Sequence, residues 1–308
     1  MASAEVSVIR SGLFYPGCSL EGTGRDYAES IRAVATAIGL DLVPLEGWEC
    51  CGASVARSVD ARAADLWPLG NLARARVADP TGTRDFLTAC PACHQNHLRV
   101  GLKASTDAAF RGWAAESLAT QQLRLDNLPR VRHLLEVLVF DVPPSHLQVK
   151  IRHPLRGVRV VPYYGCLLVR PHRLGGVESR EAPTALERFI DLCGAVPLPF
   201  VSKADCCGGS VVLSRESVAI SLTAKILAEA ETLQPDCMVV ACPLCHFMLD
   251  AKRRAVEQVL GRRIEFPVLY FTQLLGLALG LLPRSLGLHR AIVPARRLLV
   301  ALGHGPLT

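Results

Sequence analysis

The sequence predicts an α/β fold built twice in tandem, each half a mostly parallel sheet flanked by helices. Three observations lead there. Short β-like runs alternate with amphipathic helical stretches along the chain, the order that yields parallel strands joined by right-handed crossovers. Ten of the twelve cysteines fall into one pattern that occurs twice: a lone Cys, then Cys-Cys-Gly, then Cys-Pro-x-Cys. With 308 residues, half of them hydrophobic, the chain can fill two cores of ordinary size.

In chain order, the run Gly12 to Tyr15 leads into Cys18, and a helix is predicted over Arg25 to Ile38, where apolar residues recur at three- and four-residue steps. Leu42 to Leu45 leads into Cys50 and Cys51, and Phe86 to Thr88 into Cys90 and Cys93. The stretch Asp141 to Gly157 contains Pro143, Pro144 and Pro154 and reads as the junction, giving domains 1–152 and 153–308. The second copy repeats the order: Val158 to Tyr164 before Cys166, a helix over Thr184 to Cys193, and Val196 to Val201 before Cys206 and Cys207. A helix over Ser217 to Leu233, Met238 to Ala241 before Cys242 and Cys245, and a helix over Leu244 to Val259 complete it.

Residues 266–283 carry no charge, and Pro267 and Pro283 bound them. The helical part is too short for a membrane span and suits a buried helix or docking face.

In open parallel sheets, ligands gather beyond the carboxyl ends of strands, where every cysteine motif is predicted to lie. The gaps between motifs are 31 and 38 residues in the first copy and 39 and 34 in the second, so the repeat is an internal duplication. Adjacent cysteines cannot both point along one strand face, so their use as co-ligands implies an irregular turn. Gly52 and Gly208 suit that turn, since glycine tolerates positive φ and lets backbone approach a bulky group. Pro91 and Pro243 fix φ where a helix begins.

Structural zinc sites close on four ligands, commonly from two short-spaced pairs. Five thiols per copy exceed that need, and thiolate-only sets also favour iron-sulfur centres. No basic n-region and apolar h-region open the chain, so no secretory signal is read and a reducing, cytoplasmic setting is expected, where such thiols bind metal rather than pair as disulfides. Net charge is +6, carried mostly by Arg, with no block of like charge and no aromatic-basic interleaving, so no nucleic-acid partner is expected.

The signature resembles that of the CCG domain, and two such domains without other modules resemble the B-type catalytic component of heterodisulfide reductase, including the related complex of sulfur-oxidising bacteria. The stretches YYGCLLVRP (163–171) and PVLYFTQLLGLALG (267–280) are similar to that family too. The resemblance implies two noncubane [4Fe-4S] clusters at which a disulfide or persulfide of a thiol substrate is cleaved or formed. Cys18, Cys50, Cys51, Cys90 and Cys93 are implied to hold one, and Cys166, Cys206, Cys207, Cys242 and Cys245 the other. The second is assigned to face substrate, with Cys206 and Cys207 as catalytic positions. No ferredoxin-type cysteine run is present, so electrons must come from partners. The family implies a small C-type subunit with cubane clusters and a flavoprotein A-type subunit.

Cys193 and Cys237 fall outside the pattern and are expected to be buried as small apolar residues. His94 and His246 directly follow a predicted ligand, and His246 is a candidate proton donor. Arg170, His172, Lys203 and Asp205 lie near the second set. The alternative function is an electron-transfer or anchoring iron-sulfur subunit of a glycolate, lactate or succinate-type dehydrogenase.

Overall fold

The computed structural model describes residues 11–53, 55–170 and 182–304. The first half runs β1 (Gly12–Tyr15), α1 (Gly17–Glu21), α2 (Arg25–Ile38), β2 (Leu42–Pro44), α3 (Ala56–Val59), α4 (Ala61–Ala78), β3 (Asp85–Thr88), α5 (Pro91–Thr106), α6 (Ala108–Ala119), β4 (Val131–His133), α7 (Leu134–Glu136) and α8 (Pro144–Lys150). The second runs β5 (Arg159–Tyr163), α9 (Cys166–Val169), α10 (Ala185–Leu192), β6 (Val196–Pro197), α11 (Glu216–Thr232), β7 (Cys237–Val240), α12 (Pro243–His246), α13 (Arg253–Leu260), β8 (Val268–Tyr270), α14 (Phe271–Ala278) and α15 (Arg296–Ala301).

Two four-stranded sheets result, ordered β2-β1-β3-β4 and β6-β5-β7-β8, with every pairing parallel. The predicted α/β duplication is therefore what the chain forms. Details differ for local reasons. The run from Val196 yields two strand residues, because Pro197 and Pro199 have no amide to donate to a ladder. The helix predicted over Leu244 to Val259 is broken by a wide turn at Phe247–Ala251 into α12 and α13. Residues 266–283 contribute β8 before the buried α14, and among the described residues no helix is long and apolar enough to cross a membrane.

The halves share one core. Helix α2 buries Tyr27, Ile31, Val34 and Ile38 along one face, at the three- and four-residue steps of a helix. That face joins α14 and the second sheet in a single apolar cluster. Ser30 Oγ and Thr272 Oγ1 lie 2.7 Å apart inside it, and the Tyr27 and Tyr270 rings stack at 3.9 Å. A second, smaller core lies between the first sheet and α4 and α5. The junction is pinned as well, since the Arg152 and His153 amides both donate to Ala278 O.

Candidate metal centre

Each cysteine motif follows the carboxyl end of a strand. In the first half these are β1 for Cys18, β2 for Cys50 and Cys51, and β3 for Cys90 and Cys93; β5, β6 and β7 carry the second set in the same order. The three strands adjoin in each sheet, so the topology gathers five thiols at one edge. All twelve cysteines are free, and in each set the last three thiols are buried while the first two are more open. In the first, Cys18 and Cys50 are exposed while Cys51, Cys90 and Cys93 are buried. In the second, Cys166 and Cys206 are half-buried while Cys207, Cys242 and Cys245 are buried.

The Cys-Pro-x-Cys segments open helices. Cys90 and Cys242 are the N-caps of α5 and α12, with Pro91 and Pro243 at the first helical position, where a missing amide costs nothing. The second thiol of each segment then falls in the first turn, where the neighbouring thiols and burial push both Cys93 and Cys245 well above the usual thiol range despite the helix dipole.

The sulfurs form strings of neighbours rather than a knot. Cys50 lies beside Cys18 and Cys51, and Cys51 beside Cys93. Cys166 touches Cys206, and Cys207 Sγ lies 3.4 Å from Cys245 Sγ. Among the described residues, no three His, Cys, Asp or Glu side chains form a site for a single metal ion. The strings also meet: Cys90 of the first set lies beside Cys242 of the second. Tyr27 Oη sits between the Ala89 and Ala241 carbonyls at 3.1 and 3.4 Å, tying together the residues that precede these two cysteines. Pro91 reaches across to line a cavity of about 10 Å³ among Cys166, Cys206, Cys207, Cys242 and Cys245, room for about one water molecule.

Two glycine pairs shape this edge. Gly17 and Gly165 precede the lone cysteines at φ +69° and +66°, and a Cβ at either would press on sulfur, 3.3 Å from Cys93 Sγ and 2.8 Å from Cys245 Sγ. Backbone and thiols are thus packed so closely that no side chain fits between them. Gly52 and Gly208 also have positive φ, but the close approach they permit is to helix backbone, since a Cβ there would lie 2.6 Å from Ala64 O and from Ala219 Cα. The Gly208 and Gly209 amides face Cys206 Sγ and Cys207 Sγ at 3.4 Å.

Beneath each lone cysteine stands a buried tyrosine. Tyr15 Oη donates to Glu49 O at 2.9 Å and Tyr163 Oη to Asp205 O at 2.7 Å, the carbonyls just before Cys50 and Cys206. These staples hold the Cys-Cys turns to the strand ends, and sequence reading missed them. The signal was the shared Tyr-x-Gly-Cys at residues 15–18 and 163–166.

Electrostatics follow from this crowding. The Cys206 thiol is brought down to about 6, chiefly by its hydrogen bond with Cys166 and then by the Gly208 amide. Burial alone raises Cys193, and burial with the nearby Asp236 raises Cys237. Both are fully buried, as expected for apolar packing residues.

The remaining sequence candidates take other places. His246 Nε2 lies 3.1 Å from Val268 O and its ring stacks on Tyr270, so it does not line the cavity at the second cysteine set. Lys203 pairs with Glu187 at 2.6 Å, and its carbonyl accepts the Tyr164 and Gly165 amides, which makes it scaffolding for the Cys166 turn. Arg170 and Asp205 pair at 3.3 Å beside Cys206. His94 is buried, which lowers it to about 3. His172 lies outside the described residues.

The model of the cysteine-rich domain family, CCG, matches residues 13–97 and 160–250. The 8-methylmenaquinol:fumarate reductase membrane anchor subunit of Wolinella succinogenes is 34% identical over 92% of this chain and 98% of that protein. The B component of the ferredoxin/F420H2-dependent CoB-CoM heterodisulfide reductase of Methanosarcina acetivorans is 28% identical over 90% of this chain and 91% of its own. A hypothetical protein from Helicobacter pylori, solved by crystallography, superposes with a TM-score of 0.73 at 11% identity; the match covers 92% of this chain and 52% of that one, and it speaks to fold alone.

Proposed function

From the premise that this chain belongs to the cysteine-rich CCG domain family, we propose that it is the iron-sulfur subunit of a heterodisulfide reductase-like complex, acting on a disulfide or persulfide of a thiol substrate. The observation that carries the reading is the pair of five-thiol sets, matched in order, strand position and three buried thiols each, and adjoining through Cys90 and Cys242. Five soft donors per set, a backbone held at Gly17 and Gly165 close enough to exclude a Cβ, and amides aimed at Cys206 and Cys207 all suit a multi-iron core better than one ion.

In this reading Cys18, Cys50, Cys51, Cys90 and Cys93 hold one noncubane [4Fe-4S] cluster and Cys166, Cys206, Cys207, Cys242 and Cys245 the other. Such clusters supply electron transfer at sulfur. The chain's own residues then do the rest. Tyr15 and Tyr163 fix the Cys-Cys turns, Tyr27 fixes the spacing between the sets, and exposed Cys18 and Cys50 with half-buried Cys166 and Cys206 leave both sites approachable. Electrons exchange with partner subunits, of which small C-type and flavoprotein A-type subunits are the expected ones. The Lys-poor, Arg-rich composition favours a bacterial sulfur-oxidising setting.

A second reading is favoured by the 34% identity to a reductase anchor subunit, namely an electron-transfer subunit that docks a fumarate reductase-type complex. The test is the complex purified without oxygen and assayed for viologen-linked reduction of a mixed thiol disulfide. Turnover that disappears in Cys206→Ser or Cys207→Ser supports the first reading. Turnover preserved in an iron-replete Cys207→Ser variant contradicts it, and a complex that passes electrons to fumarate but not to disulfides favours the second.

A further inference from the structure

The first copy carries a buried polar network with no equivalent among the described residues of the second. His97, on α5, and Asn71, on α4, are fully buried. His97 Nδ1 lies 2.7 Å from Cys93 O, and its Nε2 lies 3.3 Å from Asn71 Nδ2. Asn71 grips one residue twice: its Oδ1 accepts the Glu49 amide and its Nδ2 donates to Glu49 O, both at 2.8 Å. Burial lowers His97 to about 4, so the ring is neutral, with Nδ1 donating to Cys93 O and Nε2 accepting from Asn71. Both amide hydrogens of Asn71 and both ring nitrogens are then used, and a fully satisfied buried network is a rigid one.

The network runs from motif to motif. Glu49 directly precedes Cys50 and Cys51, and Cys93 closes the Cys-Pro-x-Cys segment. Tyr15, from the strand that leads to Cys18, donates to the same Glu49 O and sets its ring edge-on against His97 at 4.7 Å. All three cysteine motifs of the first set are thus joined behind their sulfurs. The second copy is built otherwise. Leu249 stands where His97 does, four residues past the last cysteine of the set, and Ile226 where Asn71 does, counting from the alanines that Gly52 and Gly208 approach. Its Cys-Cys turn keeps Tyr163 on Asp205 O and one hydroxyl, Thr223 Oγ1, shared between Cys207 O and Ala219 O at 2.8 and 3.0 Å. Among the described residues, only the thiol contact of Cys207 with Cys245 joins that turn to α12. The helices differ too. In the first copy α5 is unbroken over Pro91–Thr106, whereas α12 gives way after His246 to the wide turn at Phe247–Ala251, which contains Leu249. Wide turns of this kind recur at functional sites.

We propose that Asn71 and His97 are positioning residues that lock the ligand frame of the first thiol set, which makes the two sets unequal: the first keeps a fixed geometry, and the second is the one whose coordination can change. What the thiols hold rests on the iron-sulfur reading. The clamp does not. A frame tied at three motifs releases a ligand only by breaking buried hydrogen bonds, and groups left unpaired there are costly.

Anaerobic removal of iron from the full-length, iron-loaded protein by bathophenanthroline disulfonate tests this. Iron is expected to leave in two phases, and protein whose second set is dismantled by Cys206→Ser with Cys207→Ser is expected to show the slow phase alone. Asn71→Ile with His97→Leu gives the first copy the second copy's residues. It is expected to speed the slow phase by about fivefold or more and to leave the fast phase as it was. A single phase in the unaltered protein, or a slow phase that the double variant does not change, overturns the proposal. So does a speeding of both phases together, which a general loss of stability would produce. Should the double variant misfold, His97→Leu alone takes its place. Deuterium exchange on cluster-free protein separates this claim from the iron-sulfur reading: the variant is expected to expose the amides of residues 46–53 and leave those of 202–209 unchanged. That pattern in a protein that binds no iron keeps the clamp and defeats the iron-sulfur reading, whereas unchanged exchange at 46–53 defeats the clamp.

Discussion

The tyrosine staples yield a matched pair of effects that can be worked out from their hydrogen bonds. Tyr15→Phe and Tyr163→Phe each delete one buried hydroxyl that donates to the carbonyl before a Cys-Cys turn. Glu49 O keeps a second donor, Asn71 Nδ2 at 2.8 Å, so Tyr15→Phe removes a bond without orphaning the acceptor. That loss is worth about 0.5–1.5 kcal/mol. Asp205 O has Tyr163 as its hydrogen-bond donor and no other among the described residues. Asp205 is exposed, so water can take the place of the lost donor and this loss too is worth about 0.5–1.5 kcal/mol. Since one kcal/mol shifts the melting temperature of a chain this size by about 2 °C, each midpoint should fall by roughly 1–3 °C. Thermal melts of the two variants under one buffer decide it. A midpoint that does not move in either variant would refute the assignment of these hydroxyls as the anchors of the two turns.

Gly165→Ala should lose iron from the second set with its helical signal intact, because the new Cβ sits 2.8 Å from Cys245 Sγ. Gly261→Ala, at nearly the same φ but with open space around it, should keep its iron and lose only about 1 kcal/mol of stability to backbone strain. Asp65, buried on α4, pairs with Arg57, Arg99 and Lys103 at 2.5, 2.7 and 3.1 Å. Burial would raise its carboxyl, but these hydrogen bonds and charges outweigh it and hold the group below the usual carboxylate range. A depressed folded value means that the stabilisation is full above the unfolded pKa, near 4, and fades as pH falls through the folded one. Asp65→Asn should therefore cost about 1.5–3 kcal/mol at neutral pH and progressively less in acid, as followed by urea unfolding across pH; a gap that widens on acidification would contradict this.

Where a residue pattern acted locally, it could be read from the sequence. Strand β1 and helix α2 fall where the apolar spacing puts them, because one buried face dictates that spacing. Strands β4 and β8, three residues each, lead into no cysteine motif, and so the fourth strand of each sheet went unread. The five-cysteine sets were legible because each motif sits just past a strand, and sheet topology alone brings them to one edge. The contact between the sets at Cys90 and Cys242 was not, since it depends on α2 crossing into the core of the other half. His246 looked chemical by position, yet its ring turns to Val268 O, a choice made by the neighbouring strand.

Everything functional rests on iron held at two thiol sets, so the decisive measurement is metal and acid-labile sulfide per chain in protein prepared without oxygen, with electron paramagnetic resonance of the same sample. Two four-iron clusters predict about eight iron and about eight sulfide, falling by about half in Gly165→Ala. A colourless sample carrying zinc, or one whose iron stays at the same level when Cys206 and Cys207 are both changed to Ser, would contradict the account.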